Sequence, residues 1–232
     1  VEALLRWNND VMGNIPPSMF IPIAEETGLI IEIGEYVLTQ ACAQLAHWHK
    51  LGVTHLTMAI NISMLQLARG QLIQLLRSNL IAYDIAPNQI ELELTESTIM
   101  ANAKHSVQIM AELKSIGVTL SIDDFGTGYS SLSYLKRLPI DALKIDREFV
   151  DDITADADDS AITTTVITMA HLLGLNVIAE GVETAEQADY LREQGCDEIQ
   201  GHWLTPPLTP EECLKFISTY PDAAHQSKIA MR

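Results

Sequence analysis

Two acids stand side by side in "SIDDFGTG": Asp123 and Asp124 close an apolar stretch. Adjacent carboxylates repel, so a cation must sit between them or one must keep its proton. Downstream, Lys144 stands among apolar residues in "ALKID", with Asp146 two positions on. Other polar residues have similar surroundings. Glu93 lies inside the apolar run "IELELT", with Glu91 before it and Thr95 and Glu96 after it. Glu180 ends "NVIAE", Glu183 follows it, Asn61 ends "MAIN", Glu2 and Arg6 fall in "EALLRW", and Gln200 falls in "CDEIQG". Any one of them can be a cap where a strand meets a loop. Asn61 with Ser63, or Glu183 with Thr184, suits a helix start, and Lys144 could pair with Asp146, although two residues along one strand is poor geometry for that. The set resists that reading, because a carboxylate inside an apolar strand is costly without a partner.

Oxygen donors and an amide, with no His or Cys among them, point to Mg2+ or Mn2+ rather than zinc. Two such ions about 3.5–4 Å apart would activate a water and stabilise the leaving oxygen of a phosphodiester. On this reading Asp123 bridges the ions, Asp124 binds one, and Lys144 orients the water or balances charge. Neighbours in a strand point to opposite sides. Both aspartates can face one way only if Asp124 lies where the strand breaks into a loop. The glycines of "DFGTGYSSL" suggest unusual backbone there. The G-K-[ST] of a phosphate-cradling P-loop is missing.

The elements that must position these residues alternate. Strands are expected over 2–7, 54–63, 90–95, 118–123, 142–146, 175–180 and 196–201. Helical patterns lie between them. Ile33, Val37, Ala41 and Leu45 recur every four residues, with Gly52 as a stop, and further helices are expected over 102–117, 160–174, 184–195 and 209–220. Strand–helix alternation means parallel strands joined by crossovers. An open doubly wound sheet and a closed barrel compete. Seven units, each ending in polar residues, favour a TIM-like (β/α) barrel, whose strand ends converge on one mouth. The eighth strand is expected upstream of Val1. With no linker and no shift in composition, residues 1–232 are expected to form a single, N-terminally incomplete domain, with a flexible tail over 221–232.

The formal net charge of -17 argues against duplex nucleic acid as a partner. A small anionic ligand remains compatible if a metal supplies positive charge locally. The three cysteines, Cys42, Cys196 and Cys213, form no disulfide framework and no zinc finger. They suit a reducing compartment, the cytoplasm. No apolar stretch is long enough to span a bilayer, and "VEALLRWNND" does not read as a signal peptide.

Eight ordered segments carry a resemblance: "EALLRW", "FIPIAEETGLI", "NIS", "ELTES", "DDFGTGYSSLSYL", "LKIDREFV", "AEGVET" and "GCDEIQG". Together they resemble the EAL-domain family, which hydrolyses the bacterial second messenger cyclic di-GMP, with Glu2-Ala3-Leu4 as the naming tripeptide. The resemblance implies a modified barrel with one antiparallel strand. It implies that Glu2, Asn61, Glu93 and Asp123 bind one metal, and that Asp123, Asp124 and Glu180 surround a second. Lys144 would contact the catalytic water, and Glu183 and Gln200 would hold water or support the ligands. Glu96 would anchor the loop from Asp123 to Tyr134. Arg6, with Leu4 and Gln200, would contact substrate. The product would be linear 5′-pGpG. The resemblance further implies a homodimer and an upstream sensory or cyclase domain, with membrane anchoring of a full-length protein left open.

Two positions depart from the family pattern. After Gln200-Gly201 the family shows an aromatic and then a basic residue before proline, whereas this chain has His202 and, before Pro207, Pro206. That weakens the expected phosphate or guanine contact. Trp203 could stack a base or simply be buried. The alternative to an enzyme is a catalytically silent cyclic di-GMP receptor or a protein-interaction module. The intact set of aligned ligands favours the enzyme. The site chemistry without the resemblance would serve another phosphodiester equally well.

Overall fold

The computed structural model describes residues 1–100, 103–126, 132–219 and 230–231. The chain forms two compact units, Val1–Thr119 and Leu120–Arg232.

The first unit opens with an antiparallel hairpin, β1 (Trp7–Asn9) and β2 (Gly13–Ile15). Asn9 Oδ1 shapes its turn by accepting from the N–H groups of Val11 and Met12, at 2.9 and 3.0 Å. Trp7 meets Phe20 edge-on at 5.6 Å, which ties the hairpin to α1 (Pro17–Thr27). The strand expected over 2–7 does not form. Glu2 alone bridges to Ala59, in parallel, flanked by hydrogen bonds Ala59 N–H to Val1 O and Ala3 N–H to Ala59 O. The chain then leaves for the hairpin.

The helical pattern before Gly52 resolves into two helices. Gly28, left-handed at φ 79°, ends α1, and α2 (Ile30–Lys50) follows. The buried face of α2 is Ile30, Gly34, Leu38, Ala41, Cys42 and Leu45. Ile33 and Val37 fall at its margin, because rows spaced by four drift against a 3.6-residue turn. Next come β3 (Met58–Asn61), α3 (Met64–Ala68), α4 (Leu72–Tyr83), β4 (Ile90–Thr95), α5 (Glu96–Met100) and α6 (Ala103–Ile116). β3 and β4 pair in parallel, from Met58 opposite Ile90 to Asn61 opposite Glu93. β4 is buried on both faces, the usual state of a parallel strand covered by helices.

The second unit contains β5 (Thr119–Phe125) from its second residue on, then α7 (Leu132–Leu135), β6 (Ala142–Ile145), α8 (Arg147–Asp151), α9 (Ala157–Leu172), β7 (Asn176–Ala179), α10 (Ala185–Glu193), β8 (Glu198–Ile199), α11 (Pro210–Thr219) and β9 (Ala230–Met231). Its strands pair in parallel in chain order, β5 with β6 through to β8 with β9. The β5–β6 register slips between Ile122 and Phe125. The Tyr190 hydroxyl lies 2.9 Å from Ser160 Oγ and 3.0 Å from Thr164 Oγ1, linking α9 to α10. The tail expected over 221–232 lies outside the described residues except for β9. No described helix is long and apolar enough to cross a membrane.

Candidate active site

In the first unit, Glu2 and Asn61 come together. Asn61 Nδ2 donates to Glu2 Oε1 at 2.6 Å, because the Glu2–Ala59 bridge brings that residue beside the end of β3. Asn61 does not cap the next helix. Ser63 does, accepting from Gln66 N–H while the Gln66 side chain accepts from Ser63 N–H. Asn61 is thereby left to the strand end. Glu93 sits opposite it in β4, 1% exposed. Glu96 begins α5 and is buried. The loop it is expected to anchor runs through residues outside those described. Arg6 is exposed, with Nη1 donating to the Leu5 carbonyl, and Leu4 is also exposed.

In the second unit, Lys144 is the organising group. It lies in the middle of β6 and is 1% exposed, yet carries a cation. Its Nζ is 2.5 Å from Glu180 Oε1 and 3.4 Å from Asp123 Oδ1. Asp146, two residues along in sequence, follows the end of β6 at Ile145 and caps α8, accepting from Glu148 N–H at 2.8 Å.

The repulsion between the adjacent aspartates is met on one side by Lys144, whose ammonium faces Asp123. Asp124 shows the other side of it. Burial pushes its carboxyl up to about 6, assisted by the charges of Asp123 and Asp146 and a hydrogen bond with Asp146, while Lys144 pulls the other way. The sequence placed Asp124 at a strand break. The strand in fact continues to Phe125, and a local slip does the work. Asp124 is left-handed at φ 54°, a conformation that aspartate tolerates better than most residues. A slip of this kind re-aims side chains that strict alternation would send to opposite faces.

Glu183 and Thr184 divide their expected roles. Thr184 caps α10 in a capping box with Gln187. Glu183 is half-exposed and pairs with Arg147, Nη2 to Oε1 at 2.8 Å. Gln200 follows β8, its N–H donating to Ala179 O and its carbonyl accepting from Val182 N–H. Gly201 packs its Cα against the Val182 backbone, where no Cβ would fit. Trp203 is 37% exposed, so it is not buried as core. Sequence reasoning missed Arg147 altogether. Its position directly after a capping aspartate was the available signal.

The donor chemistry of these groups fits a hard divalent ion. In the second unit Asp123, Asp124 and Glu180 offer hard oxygen donors beside the ammonium of Lys144, and Asp124 lies in a field short of positive charge. Among the described residues, no three His, Cys, Asp or Glu side chains close on a single point.

The EAL domain family matches residues 1–207. Over 218 residues the chain is 45% identical to the bifunctional diguanylate cyclase/cyclic di-GMP phosphodiesterase MucR of Pseudomonas aeruginosa, covering 94% of this chain and 32% of MucR. It is 42% identical to the cyclic di-GMP phosphodiesterase NbdA of the same organism, covering 95% of this chain and 28% of NbdA. The chain thus spans a third or less of the length of these curated relatives. The solved structure of the PaMucR phosphodiesterase in its c-di-GMP complex superposes with a TM-score of 0.88 at 45% identity, covering 91% of this chain and 86% of that one. EAL phosphodiesterases generally depend on a divalent metal. With this likeness running along most of its length, the chain has the α/β fold of EAL domains and belongs to the EAL domain family.

Proposed function

We propose that the chain is a metal-dependent phosphodiesterase that hydrolyses cyclic di-GMP to linear 5′-pGpG. The observation that carries this reading is Lys144, a buried ammonium held between Asp123 and Glu180. A lysine with no exposure would be a poor choice for stability alone, since desolvating the pair costs as much as the attraction returns. Beside a phosphodiester its charge has a use.

Glu2, Asn61 and Glu93 in the first unit, and Asp123, Asp124 and Glu180 in the second, are the proposed metal ligands, for Mg2+ or Mn2+ and two ions per site. When bound, the ions supply Lewis-acid charge to the phosphoryl oxygens and lower the pKa of water. Lys144 fixes the carboxylates of Asp123 and Glu180 and orients the attacking water. Glu183 and Gln200 hold water beside it. Arg6 and Leu4 contact the substrate, and Glu96 steadies the loop after Asp123. The water oxygen forms a new bond to phosphorus, the bond from phosphorus to the 3′ oxygen breaks, and that oxygen leaves with a proton. One cleavage opens the ring and leaves a 5′ phosphate. Residues 1–232 serve as one EAL domain, as a homodimer, within a longer signalling protein whose other domains set its activity and location.

The test is to mix the purified chain with cyclic di-GMP and Mg2+ or Mn2+, and to follow the linear product by chromatography against an EDTA blank. Metal-dependent 5′-pGpG is the expected result. Nucleotide bound without turnover would make the chain a receptor, and would implicate His202 and Pro206. No binding at all would leave an interaction module.

A further inference from the structure

We propose that Arg147 is a positioning residue that holds the Glu183 carboxylate at the turn after β7. This rests on the functional reading above only for the consequence, not for the pairing. Arg147 stands at the first position of α8, where the helix dipole disfavours a cation. Its pairing with Asp151, four residues on, offsets that cost within α8. Its stem lies across Gly181, which is left-handed at φ 71° and has no room for a Cβ because Arg147 fills that space. Its guanidinium then divides. Nε donates to both carboxylate oxygens of Asp151, at 3.0 and 3.1 Å, and Nη2 reaches Glu183 Oε1 at 2.8 Å.

The backbone of the same turn is fixed from the other side. The buried Gln187 accepts from the N–H groups of Glu183 and Thr184, at 2.7 and 2.9 Å, and donates to the carbonyls of Val150 and Asp151, at 3.1 and 3.0 Å. That uses the full capacity of its amide. Gln187 thus locks the end of α8 to the main chain at Glu183. Arg147, at the start of α8, selects the side-chain rotamer. Without Arg147 the half-exposed Glu183 carboxylate would be free to turn in solvent, although its backbone stayed in place. A planar fork with two separate carboxylate partners is a task for arginine rather than lysine.

The experiment has two arms. In the metal-free protein, the Arg147 guanidinium is observed by 15N NMR, assigned by its loss in Arg147→Lys. Slowed guanidinium rotation in the wild type, relieved in Glu183→Gln, is the expected result. A signal unchanged by Glu183→Gln would overturn the pairing. In the second arm, kcat and KM for cyclic di-GMP are measured for Arg147→Gln, Arg147→Lys, Glu183→Gln and the double variant Arg147→Gln/Glu183→Gln. Arg147→Gln should lower kcat by about tenfold with little change in KM, since small misplacements of a positioned group are costly. Arg147→Lys should recover only part of this, and Arg147→Gln should cause no further loss in the Glu183→Gln background. Losses that multiply, or a rise in KM with kcat unchanged, would overturn positioning through Glu183. If the wild type makes no product, the functional reading fails, and the pairing is decided by the NMR arm alone.

Discussion

Replacing Lys144 with methionine keeps the volume of the side chain and removes its charge. The ammonium is 1% exposed, and its partners Asp123 and Glu180 have side chains 13% and 19% exposed. Breaking a fully buried pair costs about 3–5 kcal/mol, because the remaining charge has nothing to face. Here both carboxylates keep some access to water, so the expected cost is about 2–3 kcal/mol. For a chain of this length that corresponds to a fall in Tm of about 5–10 °C. Metal should reverse part of the loss, since a divalent ion replaces the missing charge between the carboxylates. Mn2+ should therefore raise the Tm of Lys144→Met by more than it raises that of the wild type. Turnover of cyclic di-GMP should fall by at least about a hundredfold, the scale of losing one fixed charge in a water-excluded site. The assay is thermal unfolding with and without Mn2+, alongside the rate. A metal-free Tm within 1 °C of wild type (a shift worth roughly 0.3–0.5 kcal/mol) would refute the claim that Lys144 holds these acids.

Other changes have separable outcomes. Gly201→Ala sets a methyl group against the Val182 backbone; it should destabilise the fold by about 1–3 kcal/mol, as overpacking does, read as a lower midpoint in urea. Glu96→Ala should reduce kcat, read in the product assay, if that buried residue steadies the loop after Asp123. The thiols of Cys42 and Cys196 are pushed up by burial, to about 11 and about 12. Raised values mean almost no thiolate at pH 8, so a thiol reagent should leave both unmodified in the folded protein and label them after denaturation.

Much of the fold was legible because its signals are local. "IELELT" is β4 residue for residue, since an apolar run bounded by turn residues has few other uses. Gly117 and Gly174, both left-handed, stop their helices as glycine should. The failures had other causes. "EALLRW" has the pattern of a strand, but only Glu2 bridges a neighbour, and a strand needs a partner as well as a pattern. Gly28 ends α1 in the left-handed conformation of a helix stop, inside what the spacing alone shows as one helical stretch. The burial of Glu93 and Lys144 was legible, because a charged residue is conspicuous in an apolar run. Their partners were not. Lys144 faces Glu180, 36 positions away, and Asp146 caps the helix that follows it. Arg147 and Glu183 meet only because Gly181 lets the arginine stem pass.

The most direct test of the central claim compares one acid from each unit. Glu2→Ala and Asp123→Ala are assayed beside the wild type for conversion of cyclic di-GMP to 5′-pGpG in Mn2+, with circular dichroism to confirm folding. Metal-dependent product from the wild type, and none from either folded variant, is the expected result. Wild-type turnover in either one would contradict it.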